Sequence, residues 1–178
     1  MANFRKELDE IIHTNGGDNW WKPELFEKYT HNILPKELEV LKTPPNAGEN
    51  YNCFIYVLGF ANDSDLIKDC GGFIYDTFFQ KLIDQGLLEY TDTPSNGDYI
   101  LYRDIKNNTN MITHIGVVEN DDMVISKWAW GPLLKHKTFD VPESYGNDIL
   151  YVRAISKEKA KMLYKKYREF NVKPKGLA

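Results

Sequence analysis

The chain has 178 residues, a net charge of −4 and only two cysteines. That is enough length for one domain with a sizeable core, and the wrong charge balance for a protein whose main work is nonspecific nucleic-acid binding. Interspersed charges and abundant aromatic residues exclude a disordered chain.

The longest uncharged apolar run, residues 53–61, is too short to cross a bilayer, so no membrane partner is expected. The opening "MANFRKELDEII" carries acidic residues and lacks the apolar centre of a secretory signal. Two cysteines do not make a disulfide framework, so reduced thiols in a cytoplasm are the simpler expectation, with export by a non-standard route left open.

In chain order, Asn3 is placed to cap a helix with Phe4, Leu8, Ile11 and Ile12 on one side. "NGGDNWWKPE" reads as a loop in which Trp20 and Trp21 cover a core, and "LKTPPNAGEN" as a second breaker. Asn52 then suits a helix entry, because its side chain can accept from the first free amides, although propensity alone would also allow "CFIYVLGF" to be a strand. Asp63 and Asp65 read as loop residues. "FIYDTFFQKLIDQG" sets Ile74, Tyr75, Phe78, Phe79, Leu82 and Ile83 on one helical face, with Gly86 as its stop.

After "TPSNGD" the period changes from helical to extended. "YILYRD", "HIGVVE", "DMVISKW" and "DILYVRAI" are short β-prone runs, with a hairpin turn expected in "VENDDMV" around Asp121–Asp122. A final amphipathic helix is expected from about Ser156 to Phe170, and its Lys157, Lys159, Lys161, Lys165, Lys166 and Arg168 read as a solvated basic face. Helices followed by an antiparallel sheet make this an α+β domain spanning 1–178.

Chemistry concentrates at "GENYNCFIYVLGF". A thiol must ionise to attack a carbonyl, and a helix start or a neighbouring imidazolium lowers its pKa. Cys53 has the first device, and His114, opening the strand "HIGVV", offers the second. Alternation puts His114, Gly116 and Val118 on one face, and Gly116 leaves room beside the histidine for a backbone or a ligand. The bland alternative is that Cys53 fills the core and His114 is a satisfied strand histidine. No HExxH, paired CxxC or GxxxxGK[ST] pattern occurs, so neither zinc nor P-loop chemistry is supported and no cofactor is expected.

The order of a cysteine at a helix start, then "GDYILYRD", then "HIGVVENDDMVISKWAWG" resembles the papain-like NlpC/P60 and CHAP group of cysteine peptidases and amidases. "NYNCFIYVLG", "HIGVVENDDMVISKWAWGPLLKH" and "VPESYGNDILYVR" together are similar to a bacterial group in that superfamily marked by an Asn-Cys helix start. The likeness covers roughly 48–153, leaving the N-terminal helix and loops (1–47) and the basic helix and tail (154–178) outside it.

The resemblance implies a papain-like NlpC/P60 core with extra terminal helices, and a peptide- or amide-containing substrate. It makes Cys53 the nucleophile and His114 the base. The third position, which orients the imidazole, falls on Ser126, where the family usually has His, Asn, Gln or an acid; His136 is the other candidate if "LLKHKTFD" returns as a strand. Tyr51 and Asn52 would help the Cys53 amide build an oxyanion site; Trp128 and Trp130, two apart, are expected on the same face of an extended run, packing at the core or rim or walling a substrate groove.

Two further readings stay open. "DCGGF" at Cys70 resembles the "DCSGF" nucleophile box of cell-wall NlpC/P60 enzymes, with a helix then starting near Gly71. Alternatively, the chain is an inactive binding module on the same scaffold.

Overall fold

The computed structural model describes residues 2–13, 17–105, 110–120 and 122–171. Its centre is a six-stranded antiparallel sheet in the order β1-β5-β4-β3-β2-β6. The strands are β1 (Glu39–Lys42), β2 (Tyr99–Asp104), β3 (Met111–Val118), β4 (Met123–Lys127), β5 (Leu133–Lys137) and β6 (Asp148–Val152). The helices are α1 (Ala2–His13), α2 (Gly17–Trp21), α3 (Pro23–Leu25), α4 (Cys53–Val57), α5 (Ser64–Cys70), α6 (Asp76–Asp84) and α7 (Lys157–Asn171).

The first four residues of β2, Tyr99 to Tyr102, are buried, which explains their unbroken apolar character. Tyr99 and Leu101 point into one core with Cys53, Phe54, Phe78, Phe79, Ile115 and Val152. Ile100 and Tyr102 point into a second core with Leu8, Trp20, Val118, Val124, Trp128 and Leu134. Helices α4 to α7 therefore cover one face of the sheet, and α1 and α2 cover the other. The α+β class holds, with packing on both faces of the sheet.

Several expectations change. Gly17–Trp21 and Pro23–Leu25 are helical rather than loop, since Pro23 suits a first helical turn and Trp20 must reach the core. Asp63 is the N-cap of α5, its carboxylate accepting from the Leu66 amide at 3.2 Å, and Asp65 lies in the first turn of that helix. Asn3 sits inside α1 and not at its cap. Strand β1 has no counterpart in the sequence reading; it is short and largely exposed, with little alternation to reveal it.

Between β3 and β4, Asn120 accepts from the Asp122 and Met123 amides, while Asp121 lies outside the described residues. The basic face of α7 is partly tied down: Lys161 reaches Asp63 at 2.5 Å and Arg168 reaches Asp69 at 3.2 Å. No helix among the described residues is long and apolar enough to cross a membrane.

Candidate active site

Asn52 fixes where α4 begins. Its Oδ1 accepts from the Ile55 amide at 3.3 Å and its Nδ2 donates to the Ile74 carbonyl at 2.8 Å, while its own amide donates to the Gly72 carbonyl at 3.0 Å. The cap thus joins α4 to the segment between α5 and α6. That join needs Gly72, because its φ is +74° and an added Cβ would lie 2.2 Å from the Asn50 carbonyl oxygen. Through this join the Asn52 side chain fixes the position of α4.

Cys53 sits one residue on, 6% exposed. Burial pushes its thiol up to about 12; the amides of Ile115, Phe54 and Cys53 itself, together with the charge of Lys127, act in the opposite direction. The Ile115 amide is notable for its position. Strands β3 and β4 are paired only at Val117–Ile125 and Val118–Val124. Ile115 therefore lies beyond that paired stretch, and its amide faces the Cys53 sulfur at the β3–β4 seam.

His114 is the neighbour of Ile115 in sequence, but its side chain leaves the strand on the other face. It is paired with Tyr102, which belongs to the second core, and its ring stacks on Tyr145 at 4.0 Å and 19°. Cys53 and His114 thus approach the same stretch of β3 from opposite faces, and no hydrogen bond joins them. Burial, with a smaller contribution from the charge of His136, holds His114 well below 6.5, so the imidazole is neutral. Its Nε2 is buried without a hydrogen-bond partner.

Neither candidate for the third position orients His114. Ser126 Oγ and His136 Nε2 lie 2.8 Å apart, the Trp128 indole donates to the same Oγ at 2.9 Å, and His136 Nδ1 lies 2.8 Å from the Lys137 carbonyl. The only consistent proton arrangement is a chain from indole to hydroxyl to Nε2, with Nδ1–H on the carbonyl. Every polar atom in it is used. Burial lowers His136 to about 4, which keeps it neutral and preserves the chain. "LLKHK" does fold back as a strand, but its histidine serves this network.

The remaining expected site residues separate. Trp128 is fully buried in the second core, whereas Trp130 is 39% exposed and packs edge-on against Trp21 at 6.4 Å. They do not share a face, because Ala129 turns the backbone with φ of +50°. The space beside Gly116 belongs to β4: an added Cβ would lie 2.5 Å from Val124 and 3.1 Å from Ser126, so no ligand fits there. Cys70 closes α5 instead of opening a helix, and Gly71 is the left-handed cap that follows. The Cys70 thiol donates to the Ile67 carbonyl at 3.5 Å.

Two residues absent from the sequence reading join Cys53. Lys127 is 1% exposed, with its Nζ donating to the Gly131 carbonyl and lying 5.1 Å from the centre of the Tyr51 ring. Burial brings it down to about 7, and the charge of Cys53 acts to raise it. Tyr145 has a buried hydroxyl with no partner; burial first, then Cys53 and Asp9, push it well above 10. The alternation of "VISKW" carried a signal for Lys127, since it falls on the face of Ile125. Tyr145 lies in the irregular "PESYG" segment and carried none.

Three described surface hollows lie elsewhere: about 610 Å³ between α5 and α7, about 300 Å³ between α6 and α7, and about 560 Å³ beside β6. No group of three potential metal ligands occurs among the described residues. Comparison with protein-family models, curated proteins and solved structures gave no match.

Proposed function

We propose that the protein is a cysteine hydrolase of peptide or amide bonds with a papain-like core, acting through Cys53 and His114. The observation that supports this reading is a pair of unspent polar atoms, on His114 and Tyr145, beside the stretch of β3 that Cys53 approaches from its other face. His114 Nε2 and the Tyr145 hydroxyl are both buried and unpartnered, and the two rings stack at 4.0 Å. Folded chains satisfy nearly all such atoms, so each exception calls for an explanation, and this reading supplies one for these two.

In this reading the resting thiol is neutral. As Sγ attacks a substrate carbonyl carbon, its proton passes to His114 Nε2. The carbon–nitrogen bond then breaks, the amine leaves with that proton, and an acyl-thioester remains. Water attacks the thioester, His114 takes a proton from it, and the acid departs as the proton returns to sulfur. The Tyr145 hydroxyl is suited to donate to the substrate oxygen as charge develops on it. Substrate entry has to part the β3–β4 seam so that the imidazole and the sulfur share one space.

The test is digestion of a mixed peptide and N-acyl amide library, with new amines read by mass spectrometry. The wild type should release amines, Cys53→Ala should not, and His114→Gln should be slowed. Equal release by wild type and Cys53→Ala would overturn the assignment. A second reading, an inactive binding module on this scaffold, is favoured by the burial of Cys53 and its raised thiol pKa. It requires a library left intact by the wild type.

A further inference from the structure

Lys127 has no role in the scheme above, yet it is the most unusual charge in the molecule. On β4, Val124 and Ser126 face Gly116 and the second core. Strand alternation therefore turns Ile125 and Lys127 to the face covered by α4. There the Lys127 side chain is 1% exposed, beneath the ring of Tyr51, which lies two residues before Cys53. A lysine is almost never fully buried without a partner. This one has the Gly131 carbonyl and the Tyr51 ring, and no carboxylate pairs with it among the described residues.

The ionisable groups around this point are few. Cys53 comes from α4 and Tyr51 from the chain before it, while His114 from β3, His136 from β5 and Tyr145 from the short 3₁₀ helix Glu143–Tyr145 lie towards the second core. His114 and His136 are held neutral by burial, and Tyr51 and Tyr145 are pushed upward, so none of these supplies a counter-charge at neutral pH. The group whose charge acts on Lys127 is Cys53, and Lys127 acts in turn on Cys53.

We propose that Lys127 is the charge partner of the Cys53 sulfur, the buried ammonium that stabilises the thiolate once the thiol proton has been passed on. This deepens the hydrolase reading and rests on its choice of Cys53 as nucleophile. It divides two duties that an imidazolium usually combines: His114 receives the proton, and Lys127 supplies the positive charge. The preferred substrate follows in part. A site whose cation is already matched to sulfur favours a neutral acyl group at the scissile carbonyl over one bearing a carboxylate beside it, which would compete for Lys127.

The division has a pH signature. Because Lys127 is lowered to about 7, the ammonium is lost as pH rises through neutrality. Thiolate formation then rises less steeply with pH than for an isolated thiol, since sulfur and amine compete for the same proton.

The test is the rate of Cys53 alkylation by iodoacetamide across the neutral range, read by peptide mass spectrometry, in wild type, Lys127→Met and Lys127→Arg, with melting curves to establish folding. The wild-type rate should flatten above pH of about 7. Lys127→Met should be slower at neutral pH by about tenfold or more, and should regain the full tenfold rise per pH unit. Lys127→Arg, with its permanent charge, should recover most of the neutral-pH rate.

Superimposable profiles for wild type and folded Lys127→Met would overturn the proposal. So would a Lys127→Arg variant that folds but is as slow as Lys127→Met. Should Lys127→Met misfold, Lys127→Gln replaces it as the neutral variant under the same criterion. No substrate enters this assay, so the two readings fail separately: an intact library with the Lys127 effect present removes the hydrolase, and cleavage without that effect removes only the charge partner.

Discussion

Two buried polar clusters lie close together in the sheet and are built on opposite terms. The Trp128–Ser126–His136 chain uses every donor and acceptor it has and ends on a backbone carbonyl. The residues around β3, with Cys53 and Lys127 on one face and His114 and Tyr145 on the other, leave an imidazole nitrogen and a phenol hydroxyl unpaired, and bury an amine with no carboxylate partner among the described residues. Both contain a histidine that burial keeps neutral, so charge state does not distinguish them. Satisfaction does: a completed network fixes a core, whereas unspent atoms hold capacity in reserve for something that arrives.

The comparison can be broken from either side, beginning with the largest effect. His114→Gln should slow amine release by about 10²–10⁴-fold, the range for loss of a general base, while leaving the melting temperature near that of the wild type. A variant that melts much earlier but cleaves normally when folded would move His114 into the structural group.

Acidification probes the completed network. In the unfolded chain His136 titrates near 6.5, and in the folded protein near 4. The folded pKa is depressed, so the unfolded state takes up the proton first as pH falls through that window. Stability should be flat above about 6.5 and fall by roughly 3 kcal/mol towards 4. Urea unfolding across this range should show the loss, and His136→Leu should reduce it; an unaltered slope in that variant would mean other groups carry the acid sensitivity.

Ser126→Ala leaves both His136 Nε2 and the Trp128 indole without a partner, at a cost of about 2 kcal/mol. Amine release should fall only as the folded fraction falls. A large loss of release in the folded variant would restore Ser126 to the catalytic group.

The smallest expected change has the opposite sign. Lys127→Met replaces a buried amine with an apolar side chain of similar length and should stabilise the protein by about 1 kcal/mol at neutral pH. The gain should shrink as pH rises, because the wild-type amine is then already neutral. Destabilisation by the methionine at neutral pH would place Lys127 with the structural residues. Stabilisation joined to a slower thiol is the pattern of a residue kept for function.

Much of this was legible in the sequence, for identifiable reasons. Asn52 announced the α4 cap, "FIYDTFFQKLI" announced α6, and the period-two runs gave β2, β3, β4 and β6. Cys53 and His114 could both be picked out, because each breaks an otherwise apolar run. What could not be read was the face on which each side chain emerges relative to its neighbours. "HIGVV" and "VISKW" specify alternation but not which half meets α4, and that choice places Lys127, not Ser126, on the face covered by α4 and against the Tyr51 ring.

The Ser126–His136 pairing depends on the register Ser126–Leu134 and Val124–His136, which is set by the turn at Ala129 and not by residue type. Helix α2 was hidden because "NGGDNWW" opens with breakers, and its helical form comes from the second core claiming Trp20.

The central claim is that Cys53, buried at the β3–β4 seam, is a reacting thiol. Its most direct test is intact-mass and peptide mapping of the protein after brief exposure to an activated acyl ester at neutral pH. One acyl group is expected on Cys53, slow to form, lost with time in the wild type and retained longer in His114→Gln. Acylation confined to the more exposed Cys70, with Cys53 untouched throughout, would contradict it.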